Sequence, residues 1–581
     1  MPGAPAAAAR RGAALPFGAM IEALKRDPGN LGILIACTAA SVAAVFEPTY
    51  LTLSTSAIQT WLRAPNSQAP MILTVAFLVL ALFTLLVGTL GDLFGRRRLL
   101  LIGLVGLTAS NALGLLLLDA PRTFAIADLF NTFFGVMVLP AAVAIVTLTF
   151  EPAIRPFAYG ILFGIQGTAL VLASLLISML GGVWEGKATF IPVLVIGVAA
   201  IVLVLRRVPE SRAPGSMRRG TAIVNLGLMA GLFVLMFIVI AVRVRSEQVL
   251  LGLVLVLAFV LLAALAGWLW RRLRHFKGVA VHGGRDVGLA IFAGLMMMFA
   301  QGCFFYQTIP YFWDVQKVGD TEGALRYLPY VIGLLAGGMI VARLSFRFGA
   351  RRILAASFTL TGLALLGLSL LKVDSPYWVM IVPIALVGLA GGLGGPARTT
   401  VVLGSPPEGL VNSSSAVNTA AGQAGYALGV IASSVLVTRY ADRLFTDGLA
   451  AAGVSADTVA RISAELANPI SRLLVAGYPG LPEAVTAVTG VSYANAFTSG
   501  MTTMFFFVAI AMFGTALVVF FGMHRGLRAT FAVPLKEEAS PVGADEFAKT
   551  SPDVGAESGK SPEPGNADPV LTVGVAAEAK G

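Results

Sequence analysis

The sequence predicts an all-α polytopic membrane protein, and three observations carry that prediction. Of the 581 residues, 57% are hydrophobic and only 12% charged, whereas soluble domains carry about 25% charged residues. Mean hydropathy is +0.85. Uninterrupted apolar stretches recur along almost the whole chain, each of about the 20 residues that a helix needs to cross a bilayer. They are continuously apolar rather than alternating, which excludes a transmembrane β-barrel.

Fourteen spans are expected, with ends good to a few residues. The first, 31–54, follows Arg10, Arg11, Lys25 and Arg26 and has no small-residue cleavage pattern after it, so it reads as a retained span. Then come 69–90, 99–118, 124–147, 157–182 and 188–205, followed by 222–242 and 248–270. Six more lie at 286–310, 327–344, 352–371, 378–403, 412–438 and 498–522. With the N-terminus inside, inner segments hold 29 of the 41 lysines and arginines and outer segments hold 12. The bias places both termini in the cytoplasm. Arg243 and Arg245, in an outer loop, are exceptions.

The expected organisation is a cytoplasmic segment 1–30, a six-helix half 31–205, a linker 206–285 with two additional helices, and a second six-helix half 286–522. That second half contains a long outer loop, 440–497, with a helix expected around 482–497. The tail 523–581 is rich in Pro, Glu, Ala, Gly and Ser from about 535 onward. Residues 536–581 hold nine acidic and four basic residues. Such a segment cannot bury a core and is expected to be disordered.

The formal net charge of +11 does not point to nucleic acid, because the basic residues cluster at span ends. There they set topology and meet lipid headgroups. Cys37 and Cys303 both lie inside spans, giving neither a disulfide framework nor metal spacing. His275, His282 and His524 lie at span ends and are not expected to be ligands. There is no Walker A loop, so ATP does not drive the protein directly. No nucleophile constellation appears, so an enzyme is not expected. No cofactor or metal is expected, the proton being a candidate coupling ion. A small-molecule substrate, the lipid bilayer and a monomeric state complete the expected partners.

The most informative stretch is GTLGDLFGRRR, Gly88 to Arg98, between the second and third spans. Three consecutive arginines account for topology. They do not account for Gly88, Gly91, Asp92 and Gly95 at this spacing, where glycines let helices approach and a carboxylate can pair or cap a helix. The loop ARLSFRFGARR, Ala342 to Arg352, echoes it in the second half, with Gly349 matching Gly95 and Phe346 standing where Asp92 stands. Such internal symmetry is what repeated transporter halves leave behind. A third stretch, Gly388 to Val430, joins a Gly-rich helix, a Pro406-Pro407-Glu408 turn, and a helix with Asn418, Gly425 and Gly429.

At these residues the chain resembles the major facilitator superfamily of secondary transporters. That family carries G-x-L-x-D-x-x-G-R-[RK] between its second and third helices. Here Gly88, Leu90, Asp92, Gly95, Arg96 and Arg97 fill the pattern. Span number and the third stretch are similar to the fourteen-helix drug:proton antiporter branch. The resemblance covers roughly residues 31–522. It implies alternating access between the halves, in a bacterial inner membrane, with the Gly88–Arg98 loop as a cytoplasmic latch.

A charged residue within a span needs a reason. Glu47 lies in the outer third of the first span, before Pro48. With Thr49 it is similar to the family's Asp-Thr-Thr, which makes Glu47 the first proton-coupling candidate and Thr49 a substrate candidate. Asp128 and Asn131, three residues apart, share a face of the fourth span. Asn131 stands where the antiporters usually carry an arginine, so coupling would fall to Glu47 and Asp128, with Asn131 as a helper. The fifth span lacks the antiporters' Gly-Pro-x-x-Gly-Gly turn. Its Gly160, Gly164 and Gly167 read as helix packing, with Gln166 beside them as a substrate candidate. Further candidates are Gln301, Tyr306, Gln307, Asn418 and Gln423, each of which is equally an interhelical hydrogen bond. Phe304 and Phe305 line a cavity or simply pack. Arg398 is expected to snorkel to the cytoplasmic face. Three readings stay open: export of amphipathic small molecules or drugs in exchange for protons, uncoupled or differently coupled carriage of a metabolite, and a transport-inactive sensor or scaffold.

Overall fold

The structure is a computed structural model. It describes residues 21–22, 27–53, 80, 83–88, 90–92, 94–116, 121–180, 190–210, 284–404, 411–451, 455–457 and 483–524. Within these, the side chains of some helical stretches, 47–53 and 121–129 among them, lie outside the description. The expected spans 222–242 and 248–270 and the tail beyond His524 fall outside the described residues.

Within the expected first half lie α1 (Pro28–Leu53), the short apolar helix α2 (Phe83–Asp92), α3 (Arg96–Leu116), α4 (Pro121–Thr149), α5 (Arg155–Leu180) and α6 (Phe190–Arg207). The second comprises α7 (Gly284–Pro310), a π-helical turn Tyr311–Val315, the short α8 (Asp320–Leu325), α9 (Leu328–Phe348), α10 (Ala350–Leu368), α11 (Tyr377–Leu403), α12 (Val411–Ala451) and α13 (Glu483–Gly522). Eleven helices among the described residues are long and apolar enough to cross a membrane. No strand occurs among the described residues. In a bilayer the backbone must satisfy its own hydrogen bonds, and helices achieve this within each segment.

Two helices outrun their expected spans. α12 has 41 residues, about 60 Å at 1.5 Å per residue, twice the hydrocarbon thickness. Its last turns carry Arg439, Asp442, Arg443 and Asp447, which belong in water, and no proline interrupts them. α13 begins at Glu483 and runs without a break into the last span. The expected outer loop 440–497 is therefore helical at both ends, and the helix expected around 482–497 is continuous with α13.

Packing is inside-out relative to a soluble protein. Small residues meet between helices, and large apolar side chains such as Val195, Trp378, Phe507 and Phe521 face outward, as a lipid environment permits. Prolines lie inside α4 at Pro140 and inside α11 at Pro383 and Pro396, each removing one backbone hydrogen-bond donor from its helix. In the second half, α9 lies closely against α11 and α7 against α12. The α9–α11 contact is backbone to backbone: a Cβ added at Gly388 would overlap the Tyr330 carbonyl, and one at Gly392 the Leu334 carbonyl. Gly388→Leu is expected to force the two helices apart and destabilise the half by about 1–3 kcal/mol. A lowered thermal-unfolding midpoint in detergent checks this.

Candidate functional site

Asp92 ends α2, and the backbone turns at Gly95, whose φ of +102° only glycine adopts readily, to enter α3. This brings Asp92 to the first turn of α12, in the other half. It is 1% exposed. Its Oδ1 accepts from Asn412 N at 3.1 Å and from Arg96 Nη2 at 3.1 Å. Its Oδ2 accepts from Ser413 N at 2.8 Å and Ser413 Oγ at 2.7 Å. Asn412 Nδ2 returns a bond to Gly88 O at 2.7 Å. A buried carboxylate is costly unless fully bonded. A helix N-terminus supplies unsatisfied N–H groups and a positive dipole end. The two halves thus solve each other's problem.

The approach depends on missing side chains. A Cβ at Gly88 would overlap Ala416, and one at Gly91 would overlap the Asn412 amide. Higher on the same contact, Thr84 Oγ1 donates to Gln423 Oε1 at 2.6 Å. The fifth span forms the matching contact on the other side. α5 crosses α9 so closely that a Cβ at Gly160 would overlap the Gly338 carbonyl, with Gly164 and Gly167 against Leu335 and Leu334. The second and fifth spans of each half therefore meet across the halves, α2 with α12 and α5 with α9, and α5 also lies against α11 and α4 against α12.

The basic residues of the Gly88–Arg98 loop are anchored too. Arg97 Nη2 donates to Leu205 O at 2.8 Å, and Arg98 Nε lies 3.4 Å from Glu210 Oε2. The Glu210 carboxylate also rests directly against Gly95.

The structure distributes the remaining candidates. Glu47 and Thr49 lie on α1 and Asp128 on α4, with their side chains outside the described residues. Asn131 is buried, and its Oδ1 accepts from Asn111 Nδ2 at 2.8 Å, an amide pair between α4 and α3. Gln166 is half-buried on α5, and Gln301 half-buried on α7 beside Gly391 of α11. Tyr306 bonds Ser434 of α12, and Gln307 is 2% exposed. Asn418 Nδ2 donates to Thr399 Oγ1 at 3.1 Å. Pro406, Pro407 and Glu408 fall outside the described residues.

Arg398 does not snorkel. Its guanidinium is buried, lying against Gly294 of α7 and Gly422 of α12, with Nη1 3.5 Å from Asn418 O. Those two glycines leave the space that draws the side chain inward; a Cβ at Gly294 would overlap Nη1.

An aromatic cluster surrounds the α7 candidates. Phe305 meets Tyr330 edge-on at 5.1 Å between ring centroids and Tyr327 at 5.7 Å, and Phe304 stacks on Tyr330 at 6.3 Å. Thr308 Oγ1 and the Tyr327 hydroxyl share a 2.7 Å hydrogen bond. The rings are packed on one another and buried, with the Thr308–Tyr327 hydrogen bond enclosed among them. Sequence reasoning reached Phe304 and Phe305 but missed Tyr327 and Tyr330, which follow the loop after α7. It also missed Asn412 and Ser413, although Asn-Ser after a proline turn is a helix-start signal.

In comparison with known proteins, the family model described as Major Facilitator Superfamily matches residues 29–430. The chain is 25% identical over 434 residues to the tetracenomycin C resistance and export protein of Streptomyces glaucescens, covering 72% of this chain and 78% of that one. It is 26% identical over 420 residues to a puromycin resistance protein of Streptomyces alboniger, covering 70% and 81%. Among solved structures, a bacterial homologue of the human drug and peptide transporters aligns with TM-score 0.54 at 13% identity, over 84% of this chain and 97% of that one. That last likeness is one of fold.

Replacing the carboxylate at the α2–α12 contact tests how much it holds. Asp92→Asn is expected to cost about 1.5–3 kcal/mol, the worth of a hydrogen bond to a charged group. Ser413→Ala, which deletes one of the four bonds, is expected to cost about 0.5–1.5 kcal/mol. Thermal unfolding of the two variants in detergent should rank them in that order.

Proposed function

The chain belongs to the major facilitator superfamily, and we propose that it exports amphipathic small molecules in exchange for protons by alternating access. Membership makes it a multi-pass membrane transporter. The observation that carries the export reading is similarity over some 70% of its length to proteins named for resistance to, and export of, antibiotics.

The Gly88–Arg98 end of the bundle is the cytoplasmic one on the lysine and arginine bias, with both termini on that side of a bacterial cell membrane. Asp92 with Asn412 and Ser413 is the latch that closes this end. The halves rock about the α2–α12 and α5–α9 contacts, a motion that repeated transporter halves allow. Breaking the latch exposes the second half's aromatic cluster and its polar neighbours, Gln301, Tyr306, Gln307, Asn418 and Gln423, to substrate. Gln166 and Thr49 are the candidates from the first half. Glu47 carries the coupling proton: a carboxyl within a span gains and loses a proton as the halves alternate access to either side. Asp128 assists it. The fourteen-helix drug:proton antiporter branch is the closest plan.

One observation favours a second reading. Asn131, where the antiporters place an arginine, is occupied in an amide pair with Asn111, which leaves Glu47 without that cation and fits an uncoupled carrier.

Proton movement in reconstituted vesicles separates the two. Adding lipophilic cations and drugs to the wild type should release protons, and Glu47→Gln should abolish the release. Substrate flux with no proton signal in the wild type would replace antiport by the uncoupled carrier.

A further inference from the structure

The loops following the second span of each half are structural repeats that differ in charge. Gly95 and Gly349 share the left-handed backbone region, with φ of +102° and +82°. Each turns the chain into a helix whose first turn carries arginines, Arg96 to Arg98 in α3 and Arg351 and Arg352 in α10. In the first half, the arginines are met from within. Arg96 pairs with Asp92, Arg98 with Glu210, and the Glu210 carboxylate lies on Gly95. Glu210 comes just after α6, the last helix of its half.

The equivalent place in the second half is a cavity of about 750 Å³ beside Gly349, where α10 begins and the last helix, α13, ends. Arg285, Arg351, Arg352, Phe520 and His524 line it. Phe346 replaces the aspartate, and no side chain caps the start of α10. Asp286, beside Arg285 in sequence, is already engaged, accepting from His524 N at 3.0 Å with His524 Nδ1 3.1 Å from its other oxygen. No ion pair to Arg285, Arg351 or Arg352 occurs among the described residues. Arg351 is held over the Phe520 ring, 4.6 Å from its centroid, which positions its charge. Phe348 and Phe521, also in the lining, are exposed, Phe521 by 74%. Basic groups beside an apolar wall at a span end match an anionic headgroup with acyl chains below it.

We propose that this cavity binds the phosphate of an anionic phospholipid, which supplies from the bilayer the negative charge that Glu210 supplies in the first half. The chain's own acidic tail is the less suitable source. Arg525, Arg528 and Lys536 precede its first acids, Glu537 and Glu538, and extend the positive charge. The site is independent of what is transported.

Native mass spectrometry of the delipidated full-length protein tests this, with phosphatidylglycerol, phosphatidylcholine and inorganic phosphate as probes. The wild type should retain one phosphatidylglycerol about tenfold more strongly than phosphatidylcholine. R351Q/R352Q should lose the preference, R351K/R352K should keep it and so report on folding, and Arg98→Gln should leave it unchanged. Equal retention of the two lipids, a preference surviving in R351Q/R352Q, or equal occupancy by inorganic phosphate alone would overturn the proposal. A preference that emerges only in E537Q/E538Q would also overturn it, in favour of the tail.

Discussion

The carboxylate of Asp92 is the point on which the contact between halves turns. It is sealed from water, so it must find donors inside the protein, and it finds four of them on two different parts of the chain. Two are backbone N–H groups at the start of α12, which no residue of that helix could satisfy. The geometry then dictates its surroundings. α2 must come close enough for the carboxylate to reach, so Gly88 and Gly91 cannot carry side chains. Arg96 must lie one turn on, where it offsets a buried negative charge that would otherwise be prohibitive.

Against that background, the two halves are related but not equal. Two of their close contacts, α2 with α12 and α5 with α9, are made by corresponding spans. Only one of the two carries a buried ion. The other brings the backbones of Gly160 and Gly338 together, each beside the other's carbonyl. A contact of hydrogen bonds to a charge opens with a definite cost, whereas a glycine contact slides and pivots cheaply. The same inequality leaves the second half's arginines seeking charge from the membrane.

The all-helical fold and the eleven long apolar helices among the described residues were legible because bilayer thickness sets helix length, and that constraint is written in local composition. The ends of α12 and α13 were not legible, since helices continue into water wherever propensity allows and hydropathy no longer reports on them. The Gly88–Arg98 stretch announced that it does something, through glycines that topology does not require. Its partners did not announce themselves. Asn412 and Ser413 lie some 320 residues away, and nothing local links them to Asp92. Arg398 was misread for a related reason. Snorkelling is the rule for an arginine near a span end, but Gly294 and Gly422, on two other helices, open an inward space that only the packed bundle reveals. Asn131, a candidate for coupling chemistry, is engaged by Asn111 on the neighbouring helix.

The most direct test of the account is a distance measurement across the halves. Spin labels at Leu205 and Phe348, both exposed and on opposite halves at the arginine-bearing end, report whether that end is closed. Double electron–electron resonance on reconstituted protein should give a dominant short-distance population in the wild type and a shift toward longer distances in Asp92→Asn. Indistinguishable distance distributions in the two proteins would contradict the claim that Asp92 holds the halves together.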